Sequence, residues 1–332
     1  MTLTQLRYFT AIVDAGLNIT LAAKKVHATQ SGLSKQIKLL EDELGFLLFT
    51  RRARSLTALT PAASRVLEQA RPLLAHAGNI RALSENLRRE TEGELHIATT
   101  HTQARHVLPA MLAQLKRSYP KVAMHLAPGG DGESLARLAR GEADLAIVSS
   151  SGGVPPPADI RLPLFHWERV LIVPARHRLT RLGRPLQLDD LVHYPLVSYE
   201  SSRERSSSLQ RAFESAGLEP QIAMTARDAD LIATYVRNGL GIGIVAEMAM
   251  EEVAGEDLVV LPTDHLLPTC TTWLLLRRDR LLRDHTIDLI AQMLPQSDAR
   301  SVRRAIESDG ELPQAVPHWR DEGNPFLARR GR

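Results

Sequence analysis

The chain has 332 residues, 44% of them hydrophobic, and a formal net charge of +3 at pH 7, enough length for two or three domains with ordinary globular cores. A single cysteine, Cys270, rules out an internal disulfide, and no Cys/His cluster has the spacing of a zinc site. No apolar run reaches the roughly 20 residues that cross a bilayer. Met1 to Tyr8 lacks the apolar core of a signal peptide, so a cytoplasmic chain without metal or cofactor is expected.

The first sixty residues carry the basic excess, with 8 Lys plus Arg against 4 Asp plus Glu, while the remainder is close to neutral. Leu6, Phe9, Ile12 and Val13 repeat at helical spacing, as do Leu21, Ala22 and Val26, which gives two short amphipathic helices. After the short connection His27 to Thr29, a third helix buries Leu33, Ile37, Leu40 and Leu44, with Thr29 or Ser31 as its cap and Gly45 as its stop. Its other face carries Gln30, Ser34, Lys35 and Lys38, side chains suited to base edges in a major groove and to the phosphates beside it. Phe46 to Thr60 then reads as a winged hairpin. Arg51, Arg52 and Arg54 at its tip are placed to neutralise backbone phosphates and make affinity salt dependent. Such a run in isolation is more often a solvated face; its position after a helix-turn-helix pattern favours DNA.

From Ala63 to Leu87 the apolar residues Ala63, Val66, Ala70, Leu73, Ala77, Ile80, Leu83 and Leu87 fall close to a heptad seam, as in a dimerisation helix. Pro72 inside it predicts a kink or a cost of about 3 kcal/mol. Beyond Gly93, strands and helices alternate: Leu95–Thr99, Val107–Ser118, Val122–Leu126, Ser134–Arg140 and Asp144–Val148 read as βαβαβ and hence a parallel sheet. A second unit runs from Arg169 through Leu261, and the strand Thr272–Leu276 and the helix Leu281–Leu294 finish the pattern. Cys270 is expected inside a buried strand. Two linked α/β lobes make a cleft for a small molecule at their strand ends. The segment Gln296–Arg332 reads as a partly ordered, mainly solvated appendage.

These residues carry a resemblance to the LysR-type transcriptional regulators over about 300 positions. Leu6, Tyr8, Phe9, Ala22, Ala23, the run Thr29 to Ile37, Leu40 to Gly45, Phe49, Arg51, Leu56, Thr60 and Pro61 fit the family's N-terminal signature. Ser31 stands where the family usually has proline, which makes entry to the third helix less rigid. Within the family the chain resembles the regulators of cysteine biosynthesis and sulfur assimilation, through Thr99 to Arg105, His166, Trp167, Thr225 to Val236 and Gly239 to Gly241.

The resemblance implies an α/β architecture: a winged helix-turn-helix over 1–60, a linker helix over 61–92, and a periplasmic-binding-protein-like effector domain over 93–295. Its lobes would span about 93–165 plus 266–295 and about 166–265, with 296–332 a tail. DNA contacts would come from Thr29, Gln30, Ser31, Ser34, Lys35, Lys38, Arg51, Arg52 and Arg54. An effector such as sulfate, thiosulfate or an acetylated serine would meet Thr100, Thr102, Gln103, Ser149, Trp167 and Ser202. One departure bears on that ligand. Glu204 replaces a family threonine, so either it turns away, with Ser201, Ser202 or Arg203 taking over the contact, or the ligand carries a cationic group.

The expected protein is thus a regulator that binds double-stranded DNA as a homodimer or homotetramer, with RNA polymerase as a further partner, and is not an enzyme. Alternatives are a regulator of the same family serving another pathway, and a solute-binding receptor. No nucleophile, base and orienting group converge in the sequence as an enzyme would need, and Gly239, Gly241 and Gly243 lack the spacing of a dinucleotide loop.

Overall fold

The computed structural model describes residues 1–52, 55–88, 92–205, 207–250, 255–294, 297–307, 316–322 and 324–327. Two compact units divide the chain: Met1–Arg89 with Asp279–Arg283, and Glu90–Arg278 with Asp284–Arg332.

In the first unit, α1 (Leu3–Asp14) opens on a capping box in which Thr2 and Gln5 satisfy each other's backbone N–H groups. Asn18 caps α2 (Ile19–Lys25) and Thr29 caps α3 (Gln30–Leu44). Gly45 ends α3 at φ +76°, a left-handed conformation that costs a residue without Cβ little. His27 takes the turn between α2 and α3 with φ +52°. The hairpin β1 (Phe49–Arg52) and β2 (Ser55–Leu59) pairs antiparallel. One core unites these elements: Leu6, Phe9, Ile12, Ala22, Leu33, Ile37, Leu40, Leu48 and Phe49 are buried together, with Phe9 edge-on to Phe49 at 5.6 Å. Each large side chain in it contributes about 1.5–3 kcal/mol by leaving water.

The helix α4 (Pro61–Arg88) continues through Pro72 without a break in its assignment. The seam proposed from the heptad pattern is divided. Ala63 and Ala70 are buried in the core just described, with Val66, Leu67 and Leu74 packed on it. Leu73, Ile80, Leu83 and Leu87 are exposed, Ile80 to 71% and Leu87 to 78%. The N-terminal half of the expected seam is therefore taken up by the core of its own unit, and only the C-terminal half offers a free apolar stripe. The segment 279–283 docks on this helix: Asn79 donates to the Asp279 carbonyl at 2.7 Å and accepts from the Leu281 N–H at 2.8 Å, and Glu85 pairs with Arg283 at 2.7 Å.

The second unit holds two five-stranded sheets. The first has the order β4 (Lys121–Gly129), β3 (Glu92–Thr100), β5 (Leu145–Ser151), β12 (Cys270–Leu276), β6 (Ile160–Trp167). The second has β11 (Leu258–Pro262), β7 (Arg169–Pro174), β10 (Ile242–Ala246), β8 (Leu196–Tyr199), β9 (Ile222–Ala226). The sheets are mixed rather than parallel. β3, β4 and β5 run together, whereas β12 is antiparallel to β5 and β6, and β7 is antiparallel to β10 and β11. The reason is that the chain crosses between lobes twice, at Trp167–Arg169 and between β11 and β12, and each return strand arrives reversed.

The intervening helices are α5 (His101–His106), α6 (Leu108–Ser118), α7 (Asp131–Ala139), α8 (Leu188–Leu191), α9 (Ser208–Ser215), α10 (Ala229–Arg237) and α11 (Asp284–Met293). A tight approach fixes the turn before β10, where a Cβ on Gly241 (φ +152°) would sit 2.0 Å from the Pro195 carbonyl oxygen. Cys270 is buried in β12, and burial pushes its thiol up to about 11. Among the described residues no helix is long and apolar enough to cross a membrane.

The C-terminal segment is more ordered than the sequence suggests. After α12 (Ala299–Glu307), residues 317–319 pair with His166 of β6: the Pro317 carbonyl accepts from His166 N–H at 2.8 Å and Trp319 N–H donates to the His166 carbonyl at 2.6 Å. Trp319 and Phe326 are buried, each ring 5.1 Å from Phe165. Apolar side chains sparse in sequence thus find a shared pocket, which composition alone does not reveal.

Candidate functional site

At the C-terminal ends of β3 and β5, four residues form a connected polar set. Ser149 on β5 and Thr272 on β12 are in-register neighbours, with hydroxyl oxygens 3.1 Å apart. Gln103, on α5 immediately after β3, donates its side-chain amide to both, at 3.1 Å each. Thr100 caps α5 by accepting from the Gln103 N–H at 3.3 Å. Gln103 is 1% exposed, yet its Oε1 has no hydrogen-bond partner among the described residues, and neither does the buried Thr99 hydroxyl. A buried acceptor left open costs about 1–3 kcal/mol unless water or a ligand fills it.

Asp131, first residue of α7, accepts from the Ser149 N–H at 3.1 Å. Burial raises its carboxyl from the ordinary 3.8 to about 6 against the opposing help of that N–H, and the charge of Glu204 from the other lobe adds to the rise. Across the cleft Thr102 bonds the Tyr199 hydroxyl, which also accepts from the Ala246 N–H at 3.1 Å. Burial raises the Tyr199 pKa. Arg105 of α5 pairs with Asp230 of α10, so α5 touches the second lobe at two points.

Of the effector residues expected from the sequence, Thr100, Gln103 and Ser149 converge, and Thr102 stands beside them facing Tyr199. Ser202 is buried in the second lobe, its hydroxyl 2.8 Å from that of Ser198. Trp167 is buried at the lobe crossover with its indole N–H unpartnered among the described residues and Arg169 at 6.0 Å from its ring. Glu204 is exposed but faces Asp131 closely enough to act on it.

Asp131, Tyr199 and Thr272 escaped the sequence reading. Thr272 had a signal, as one of two adjacent hydroxyls, Thr271 and Thr272, in a strand that is otherwise apolar; Tyr199 had none. His106 is buried, and Asp228 and Asp190 serve in the caps of α10 and α8.

On the other unit, α3 exposes Gln30, Ser31, Lys35 and Lys38, with Ser34 half-buried, and Thr29 is held as the N-cap by the Gly32 N–H at 3.1 Å. Arg52 is exposed on β1. Arg51 plays a structural part, since its guanidinium meets Glu41 of α3 at 3.0 Å. Glu41 is 5% exposed and also accepts from Leu48 N–H at 2.8 Å and Phe49 N–H at 3.4 Å, locking the hairpin to the helix. Glu41 was missed, although a carboxylate on the same stripe as Ile37 and Leu44 is a signal that it has partners. Arg54, also expected at the hairpin tip, lies outside the described residues.

The family model for the bacterial regulatory helix-turn-helix protein, lysR family, matches residues 3–64, and that for the LysR substrate binding domain matches residues 88–297. The chain belongs to the LysR family. This LysR-type chain is a DNA-binding transcriptional regulator with a domain for a small-molecule effector, and not an enzyme. It is 38% identical over 92% of its length to the HTH-type transcriptional regulator CysB of Haemophilus influenzae, covering 94% of that protein. It is 38% identical over 89% of its length to SsuR of Burkholderia cenocepacia, and 36% identical over 94% to the regulator cbl of Escherichia coli, covering 95% and 98% of them.

The crystal structure of the cofactor-binding domain of the Cbl transcriptional regulator matches with a TM-score of 0.59 at 36% identity, over 66% of this chain and 95% of that one. Full-length OxyR from Pseudomonas aeruginosa, in a cysteine-to-aspartate variant, shares the fold with a TM-score of 0.67 over 90% of this chain and 96% of that one, at 24% identity.

Proposed function

We propose that this regulator controls genes of sulfur assimilation and cysteine biosynthesis, in the cytoplasm, by reading duplex DNA as a homo-oligomer under the control of a sulfur-linked metabolite. The observation that carries the pathway is the likeness over nine-tenths of the chain to CysB and cbl, together with the connected set Gln103, Ser149 and Thr272. In this reading the effector meets Thr100, Thr102, Gln103, Ser149 and Ser202 with Trp167 nearby. Thr29, Gln30, Ser31 and Ser34 would meet bases, and Lys35, Lys38 and Arg52, with Arg54 beyond the described residues, would meet phosphates, while Arg51 holds the hairpin to α3 through Glu41.

Two features narrow the ligand. The open Gln103 Oε1 calls for a hydrogen-bond donor, which the ammonium group of O-acetylserine offers and sulfate does not. Asp131 and Glu204 favour a ligand with a cationic group beside its anionic one, the second of the two ways to accommodate Glu204. Effector binding shifts the population of lobe arrangements and so the spacing of paired α3 helices on DNA.

A thermal-shift series on the full chain tests this with O-acetylserine, N-acetylserine, sulfate, thiosulfate and an alkyl sulfonate. Ligands of the native state raise the melting temperature. The largest rise is expected with the acetylated serine that keeps its ammonium group. No rise with any sulfur-linked compound removes the pathway assignment and leaves DNA binding untouched.

A further inference from the structure

A cluster away from the cleft has the composition of a metal site. β3 and β4 pair in parallel with His96 directly opposite His125, and Glu94 lies two residues before His96. The alternation of a strand puts residues two apart on the same face, so Glu94, His96 and His125 share one side, while Leu95 and Ile97 point into the core on the other. One ligand atom from each of the three lies within 4.8 Å of the others. The two imidazoles are stacked, centroids 4.6 Å apart and planes at 13°, and the Glu94 carboxylate is 3.1 Å from His96 Nε2.

We propose that Glu94, His96 and His125 bind a divalent cation of the borderline class, zinc or copper(II). Two imidazoles and one carboxylate suit those ions, whereas magnesium and calcium want oxygen ligands throughout. Tetrahedral zinc holds its ligand atoms about 3.3 Å apart, given bonds of about 2.0–2.1 Å, so the two imidazoles turn out of their stacked arrangement to aim their in-plane lone pairs at one ion. The platform beneath is fixed: His96 N–H donates to Asp144 Oδ2 at 2.9 Å and Asp144 N–H returns a bond to the His96 carbonyl at 2.8 Å. The side chains themselves are half-open to water, His96 to 41% and Glu94 to 66%, which leaves the remaining coordination positions to solvent and makes the ion exchangeable. Such a site lies outside the usual sequence signatures because its two imidazoles come from separate strands, His96 on β3 and His125 on β4.

The test uses the full chain without an affinity tag, stripped with a chelator, desalted and titrated calorimetrically with zinc chloride. One equivalent per chain is expected in the wild type and none in His96→Ala or in His125→Ala, with Glu94→Gln binding more weakly. Magnesium chloride gives no heat of binding. Melting curves of the metal-free variants, unchanged from wild type, establish that they are folded. Copper(II) loading of the unaltered protein provides the second readout: its electron paramagnetic resonance spectrum shows splitting from two imidazole nitrogens. Wild-type protein without a zinc equivalent, variants that keep it, or a copper spectrum without nitrogen splitting overturns the proposal.

Discussion

Arg51 and Arg52 are adjacent arginines on one strand with different surroundings, and this separates their expected effects. Arg51 balances the buried Glu41, so Arg51→Ala leaves a carboxylate with two backbone donors and no counter-charge, at a cost of about 1 kcal/mol given that the guanidinium is half-exposed. Arg52→Ala should leave the melting temperature unchanged and lower the slope of log affinity against log salt by about one. Titrations of both variants on one operator fragment at several salt concentrations, with melting curves, check this; an unchanged slope for Arg52→Ala removes the hairpin from the DNA surface.

Asp131 gives a second test at the same scale. Its folded pKa of about 6 lies above its ordinary 3.8, so the native state holds the proton more tightly than the unfolded chain. The corresponding stability is present below about 4 and is lost as pH rises through about 6. Asp131→Asn keeps an acceptor for the Ser149 N–H and cannot ionise. It should therefore melt higher than wild type at neutral pH, with the difference vanishing in acid. Equal melting temperatures at neutral pH would show that Asp131 is not held in a costly charged state.

At the level of elements, α4 joins two environments in one helix. Its N-terminal half completes the first unit's core, and its C-terminal half leaves Ile80, Leu83 and Leu87 in water, a seam that wants a second copy. Ile80→Glu should convert the oligomer to monomers in sedimentation velocity without lowering the helix content; an unchanged sedimentation coefficient would assign the seam elsewhere. The amphipathic period of this helix was legible in sequence because 3.5-residue spacing is a local property. So were α3 with its Thr29 cap and Gly45 stop, and most strands of the second unit. β6 was not, since Pro163 interrupts it and its pairing with β12 depends on residues a hundred positions away. The cleft was half legible. Thr100 and Gln103 are local to one strand end, but Thr272 and Tyr199 arrive only through sheet pairing and lobe contact.

On the scale of the whole molecule, the C-terminal segment is a packed element of the second unit. Trp319 and Phe326 fill the space over Phe165, Arg320 pairs with the buried Glu247, and His318 sits 3.8 Å from Glu168 and 3.7 Å from Glu247, at the crossover between the lobes. Trp319→Ala should cost about 3 kcal/mol, read as a lower midpoint in urea, whereas a solvated tail would give no change. Its sequence, with prolines and arginines around a few aromatics, has the composition of a disordered tail, and only the receiving surface on β6 decides otherwise.

That docking also governs what can add to the first sheet. β6 is the last strand on its side, and the backbone bridge from His166 to His318 occupies hydrogen-bonding groups that would otherwise template another chain. The opposite margin, β4, carries no such cover among the described residues and shows Leu126 to solvent. Clipping the chain before residue 316 would therefore expose a second sticky border, and aggregation, more than loss of DNA binding, would be its first symptom.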